Sequence, residues 1–138
     1  MANKELGTRI HFPNGIFGFE EIKDFLLCPE DSKNVIWSLQ AAESDYPKLI
    51  AVDPLLIVPD YSPELTAADQ KILGSPKEED LCCLVVAVIR KKLEDSVVNL
   101  KSPVLINVKN RVGVQTILEN SDYPVRSPLL HSRKNGGV

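Results

Sequence analysis

The sequence predicts an all-β domain of short strands carrying one or two short helices. Proline and glycine, 10 and 7 among 138 residues, punctuate most of the chain, as they do where short strands alternate with turns. Apolar residues alternate at Val104, Ile106 and Val108 and again at Val112 and Val114, the period of a sheet with one buried face. The run LCCLVVAVI is rich in β-branched residues, which favour a pleated surface.

Taken in order, the first strand is expected at Thr8–Phe12. Gly15-Ile-Phe-Gly18 then reads as a turn needing positive φ, with Phe12, Phe17 and Phe19 as apolar anchors. A single helical turn is expected from Glu20 to Asp24, followed by strands at Phe25–Cys28, Val35–Leu39 and Leu49–Val52. The link VDPLLIVPDYSPEL carries turn chemistry at Asp53-Pro54 and Pro59-Asp60. Thr66 and Asp69 have the spacing of a capping pair for a helix over Ala67–Leu73, and Gly74 supplies its left-handed stop. Leu81–Arg90 is the strongest strand, and its near-continuous apolar run predicts burial on both faces. Lys91, Lys92, Glu94 and Asp95 make a charged turn before strands at Val97–Asn99, Val104–Val108 and Val112–Ile117. Lys109, Asn110, Arg111 and Gly113 form a basic hairpin turn in which Asn110 suits positive φ. Residues 1–130 read as one domain, and residues 131–138, with almost nothing to bury after His131, as a flexible tail.

Composition narrows the function. An apolar fraction of 43% and a charged fraction of 25% are those of an ordinary globular chain. No apolar run approaches the length of a membrane span, and the N-terminal MANKELGTRIHF has no secretory core, so a cytoplasmic protein is expected. Residues 1–80 hold 7 Lys+Arg against 15 Asp+Glu, a local −8, whereas residues 81–138 hold 9 against 4, a local +5. Acids gather at Glu20, Glu21, Asp24, Glu30 and Asp31 and again at Glu64, Asp69, Glu78, Glu79 and Asp80. Solvated loops and helix starts account for such clusters, and so does an acidic face that steers a basic protein partner.

Reactive chemistry is sparse. Cys28, Cys82 and Cys83 contain no C-x-x-C pair, His11 and His131 lie far apart, and neither a zinc site nor any other metal site is expected. Adjacent Cys82 and Cys83 point to opposite faces of a strand and read as small apolar residues. Asp53, Asp60 and Glu64 lack a placed histidine or fourth ligand. No Ser–His–Asp order, P-loop or Rossmann glycine pattern occurs, and His11 reads as a satisfied structural residue. Trp37 reads as a core or groove residue, and Tyr61 as core or as a rim aromatic. The ordered but unreactive stretch VVNLKSPVLINVKNRVGVQTI suggests a protein that binds rather than catalyses, with no catalytic residue and no cofactor.

GIFGFE at 15–20, VDP at 52–54, PDY at 59–61, VNLKSPVLIN at 98–107, the isolated Gln115 and YPVR at 123–126 occur in that order. Together they resemble the FliW flagellar assembly factors, from about Thr8 to Leu130. That resemblance implies a small barrel-like β fold without enzymatic activity. It also implies two protein partners, flagellin and the translational regulator CsrA, whose repression of flagellin synthesis the family antagonises. The partner-facing candidates are Glu20, Glu21, Asp24, Tyr61, Asn99, Asn107, Gln115 and Arg126, several of which could instead satisfy backbone groups at bends.

Two other functions stand beside this one. A single-stranded nucleic-acid binder would use Arg90–Lys92 and Lys109–Arg111 as a basic rim. It would lack an aromatic stacking platform there, because the phenylalanines cluster near residues 12–25. A small-molecule or flavin-binding barrel enzyme would betray itself by colour.

Overall fold

The computed structural model describes residues 7–130. The strands are β1 (Thr8–His11), β2 (Asp24–Pro29), β3 (Ile36–Ala41), β4 (Lys48–Val52), β5 (Leu81–Val88), β6 (Val97–Val98), β7 (Val104–Asn107), β8 (Val112–Gln115) and β9 (Ser127–Pro128). A single α-helix among the described residues, α1 (Ala67–Leu73), lies between β4 and β5.

These strands form a 9-stranded sheet in the order β4-β3-β2-β1-β8-β7-β5-β6-β9, and an additional β4–β5 pairing closes it. The result is a barrel of β1, β2, β3, β4, β5, β7 and β8, with β6 and β9 appended. β5 achieves this by changing neighbours along its length. Leu81–Leu84 pair with β7, Val85–Ala87 with β4, and Ala87–Val88 with β6.

Alternation sorts the side chains into layers. Inward positions fill the barrel with Ile10, Phe25, Leu27, Leu39, Ala51, Leu84, Val104 and Ile106, joined by Phe12 and Ile16 from the following turn. Phe12 and Phe25 meet edge to face at 5.6 Å. Outward apolar positions are covered in two places. Val52, Val85 and Ala87 lie under Ile57, Tyr61, Val98, Leu100 and Leu118, and Leu105 and Val114 lie under Leu73 of α1. The outer face of β1–β2 instead carries charge: Arg9 bonds Asp24 at 3.2 Å and Glu43 at 2.9 Å.

The helix forms where its local signals place it. Thr66 and Asp69 make a reciprocal capping box, and Gly74 ends the helix at φ 78. Other expectations change. Glu20–Asp24 is not helical: Phe19 N–H bonds Ile16 O, Ile22 N–H bonds Phe19 O, and Asp24 already opens β2 opposite His11. β5 stops at Val88, and its end is not buried on both faces: Val88, although paired with Val97 of β6, is 46% exposed, and Ile89 beyond it is 47% exposed. In the basic turn it is Arg111, not Asn110, that takes positive φ (61°). β9 and short 3-10 turns at Pro54–Leu56, Glu78–Asp80 and Leu93–Asp95 are additions. The expected tail, 131–138, lies outside the described residues.

Candidate protein-interaction surface

Segments distant in sequence meet beside the end of β8. An open groove of about 730 Å³ is lined by Phe17, Leu65, Thr66, Ile117, Leu118 and Tyr123, among others. Parts of the GIFGFE turn, the segment after PDY, Gln115 and the YPVR segment thus share one surface. The sequence reads Phe17 as an apolar anchor of this turn with Phe12 and Phe19. It is 44% exposed, because the tight Ile16–Phe19 bridge turns it away from the barrel. Ile117 is also 46% exposed. Glu64 and Glu119 line the groove, and among the described residues no Lys or Arg does.

Gln115 organises one wall. Its Oε1 accepts from Phe17 N–H at 2.9 Å and its Nε2 donates to Ser102 O at 3.0 Å. The side chain therefore pins the glycine-flanked turn to the strand. Asn99 works similarly, with Oδ1 accepting from Lys101 N–H at 3.0 Å and Ser102 N–H at 3.1 Å. Asn107 is buried, donating to Leu73 O at 2.7 Å and accepting from Lys109 N–H at 3.0 Å. Tyr61 is a core residue: its hydroxyl donates to Leu100 O at 2.6 Å, its ring lies 4.6 Å from that of Tyr123, and burial raises its pKa. These four candidates hold backbone or core in place.

Glu20, Glu21 and Arg126 are exposed. The Glu20 carboxylate accepts from Gly18 N–H at 3.1 Å, and that bond, first among its causes, holds its pKa below the usual value. Asp24 is half-buried. His11 Nδ1 lies 2.9 Å from its Oδ1, and this bond followed by the one from Arg9 lowers its pKa. Asp24 is thus bound within a surface network, whereas Glu20 and Glu21 present charge more openly.

Among the described residues, no group of three or more His, Cys, Asp or Glu could hold a metal ion. Burial pushes the Cys82 and Cys83 thiols up to about 11 and about 12, away from the thiolate state that nucleophilic chemistry requires. Trp37 packs on the barrel core and also lines a second hollow of about 400 Å³ with Asp53, Leu55 and Cys82. No helix of the described residues is long and apolar enough to cross a membrane.

The chemistry of these residues is plain from the sequence, whereas their setting is not. Glu64, Leu65, Ile117 and Glu119 lie outside the contacts named from sequence, although Glu64 and Leu65 stand three and four residues after Tyr61 of the PDY motif. A period-two reading of β8 does not reveal which chain segment lies beside its end.

The model of the family described as FliW protein matches residues 2–129. The flagellar assembly factor FliW of Caldanaerobacter subterraneus subsp. tengcongensis is 34% identical over 127 residues, covering 91% of this chain and 85% of the relative. That of Clostridioides difficile is 32% identical over 129 residues, covering 94% and 98%. A crystal structure of the flagellar assembly factor FliW superposes with a TM-score of 0.82 at 27% identity, covering 91% of this chain and 87% of the other.

Proposed function

Because the chain belongs to the FliW family, we propose that it is a cytoplasmic flagellar assembly factor that binds flagellin and antagonises a CsrA-type translational repressor. The observation that carries this reading is the family match over nearly the whole chain. Two structural features support it. The groove brings family-like motif segments to one exposed, partly apolar surface, as a protein contact requires. The acids of the first half suit a regulator partner that must be basic to hold RNA.

In this account the chain links flagellin level to flagellin synthesis. Free chain holds the repressor, and flagellin competes for the chain, so that accumulated flagellin releases repressor. A domain of 15.3 kDa offers limited surface for two interfaces of about 800 Å² per partner, which makes overlap the simplest basis of competition. The contacts proposed from the candidate set are Glu20, Glu21, Asp24 and Arg126, with Tyr61, Asn99, Asn107 and Gln115 shaping the surface from within. RNA is not a direct ligand in this reading.

Calorimetry of the purified chain against flagellin and, separately, against a CsrA homologue tests both interactions. Saturable heat in each titration supports the proposal. No heat together with no complex on gel filtration overturns it.

A further inference from the structure

β8 leaves part of one edge without a strand partner. Thr116 N–H donates to Pro103 O at 3.2 Å and Leu118 N–H to Lys101 O at 2.8 Å. Backbone alternation therefore turns the Gln115 and Ile117 amides to the opposite side. There β1 pairs with β8 only through His11 and Val112. The seam cannot continue. Phe12 gives its N–H to Lys23 O at 2.7 Å, Pro13 has none to give, and the chain turns as Gly15 N–H bonds Phe12 O at 2.9 Å.

The consequence is a short, specific set of open groups. Among the described residues, no bond is made by Gln115 N–H, Gln115 C=O or Ile117 N–H, while Ile117 C=O accepts from Glu119 N–H at 3.0 Å. Gln115 and Ile117 both line the groove. Unpaired strand groups of this kind are satisfied by another extended backbone, with side-chain pockets choosing the sequence. The edge is too short to add a long strand, so the flanking walls must contribute.

We propose that the groove binds an extended, basic segment of a protein partner as an added strand beside residues 115–117. One apolar side chain of that segment packs against Phe17, Leu65 and Ile117, and a Lys or Arg meets Glu64 or Glu119. The inference rests on the reading that this chain works by binding proteins, and it specifies the form of the bound segment. The basic character follows from the wall: among the described residues, Glu64 and Glu119 line it without a Lys or Arg. Lys101 does not line the groove but donates to Ser121 O at 2.9 Å, so its single charge offsets only one of the two carboxylates. A second copy of this chain is the poorer occupant, because edge-to-edge pairing about a two-fold axis would bring the same acidic walls together.

The test uses the full chain and a displayed library of random heptapeptides. Selected sequences should alternate apolar residues with Lys or Arg. The best peptide is then resynthesised with one backbone N-methyl group at each position in turn, and binding is followed by fluorescence anisotropy. Methylation at alternate positions should weaken binding by about tenfold, the loss expected for one removed hydrogen bond, with little effect between. Ile117→Pro removes an unengaged donor and should weaken binding similarly, and Glu64→Lys with Glu119→Lys should turn the preference against basic peptides. Should either variant fail to fold, the methylation series on the wild-type chain still decides. An absence of selected peptides, neutral or acidic selections, methylation effects without alternation, or a dimer formed through this edge would each overturn the proposal. Flagellin and CsrA titrations on the wild-type chain separate the two readings. Partner binding without the alternation removes the added strand alone, and alternation without partner binding removes the proposed function alone.

Discussion

Gln115 accepts a hydrogen bond from the Phe17 amide at 2.9 Å across 98 residues of sequence, while its own amide group donates to Ser102 O at 3.0 Å. One side chain thus couples the glycine-flanked turn, the end of β8 and the bend before β7. Gln115→Ala should destabilise the chain by about 1–2 kcal/mol, the cost of losing one exposed and one partly buried hydrogen bond. Urea denaturation measures this, and hydrogen exchange at residues 15–19 should accelerate with it. Unchanged stability and exchange would mean that the turn holds itself.

Asn107 fastens the helix to the barrel. Its Nδ2 donates to Leu73 O at 2.7 Å, and its Oδ1 accepts from Lys109 N–H at 3.0 Å. Asn107→Ala should cost about 1–3 kcal/mol, and Asn107→Asp should cost more than a surface substitution, because it loses the donor and buries charge. Equal denaturation midpoints for wild type and Asn107→Asp would contradict this role.

Gly113 is required by a neighbour. A Cβ there would lie 2.5 Å from Cε2 of Phe12. Gly113→Ala should lower stability by about 1–3 kcal/mol through overpacking, and Phe12→Leu in the same chain should recover part of the loss. A double variant no better than the sum of the singles would remove the steric explanation.

The helix was legible because its instructions are local: Thr66, Asp69 and Gly74 act on backbone groups within a few residues. The longer strands were legible from period and β-branching. β9 was not, since the Ser127–Pro128 pair becomes a strand only by meeting Val97 and Val98. Arg111 rather than Asn110 takes the left-handed position, because Asn107 accepts from Lys109 and Asn110 and sets the turn's register. In the candidate surface, residue chemistry was legible and exposure was not. Tyr61 and Asn107 are buried through contacts distant in sequence, with Leu100 and Leu73, whereas Phe17 is turned out by the local Ile16–Phe19 bridge.

Acid should weaken the chain partly through Asp24. Its pKa is lowered by His11 and then by Arg9. Its contribution is therefore complete above the ordinary carboxylate value of about 3.9 and is lost as pH falls through the lower folded value. Asp24→Asn should flatten the stability profile below about pH 4 and change neutral-pH stability by less than about 1 kcal/mol, as exposed pairs do. Thermal melts across the acidic range test this, and parallel wild-type and variant profiles would contradict it.

Charge reversal at Glu20, Glu21 and Asp24 to lysine should slow repressor association more than it speeds dissociation, with the difference shrinking in high salt. Surface plasmon resonance at two ionic strengths resolves the rates. A change confined to dissociation would place these acids within a tight contact rather than in a steering field.

The central claim is that this chain cannot hold flagellin and the repressor independently, since any coupling between the two sites must act equally in both directions. The most direct measurement adds a flagellin C-terminal fragment to a preformed complex of the chain with a CsrA homologue and follows free repressor by gel filtration and anisotropy. Repressor should be released progressively as flagellin rises, and repressor in excess should displace flagellin in the reverse titration. A stable ternary complex, with each affinity unchanged by the other partner, would contradict the account even if both binary interactions were real.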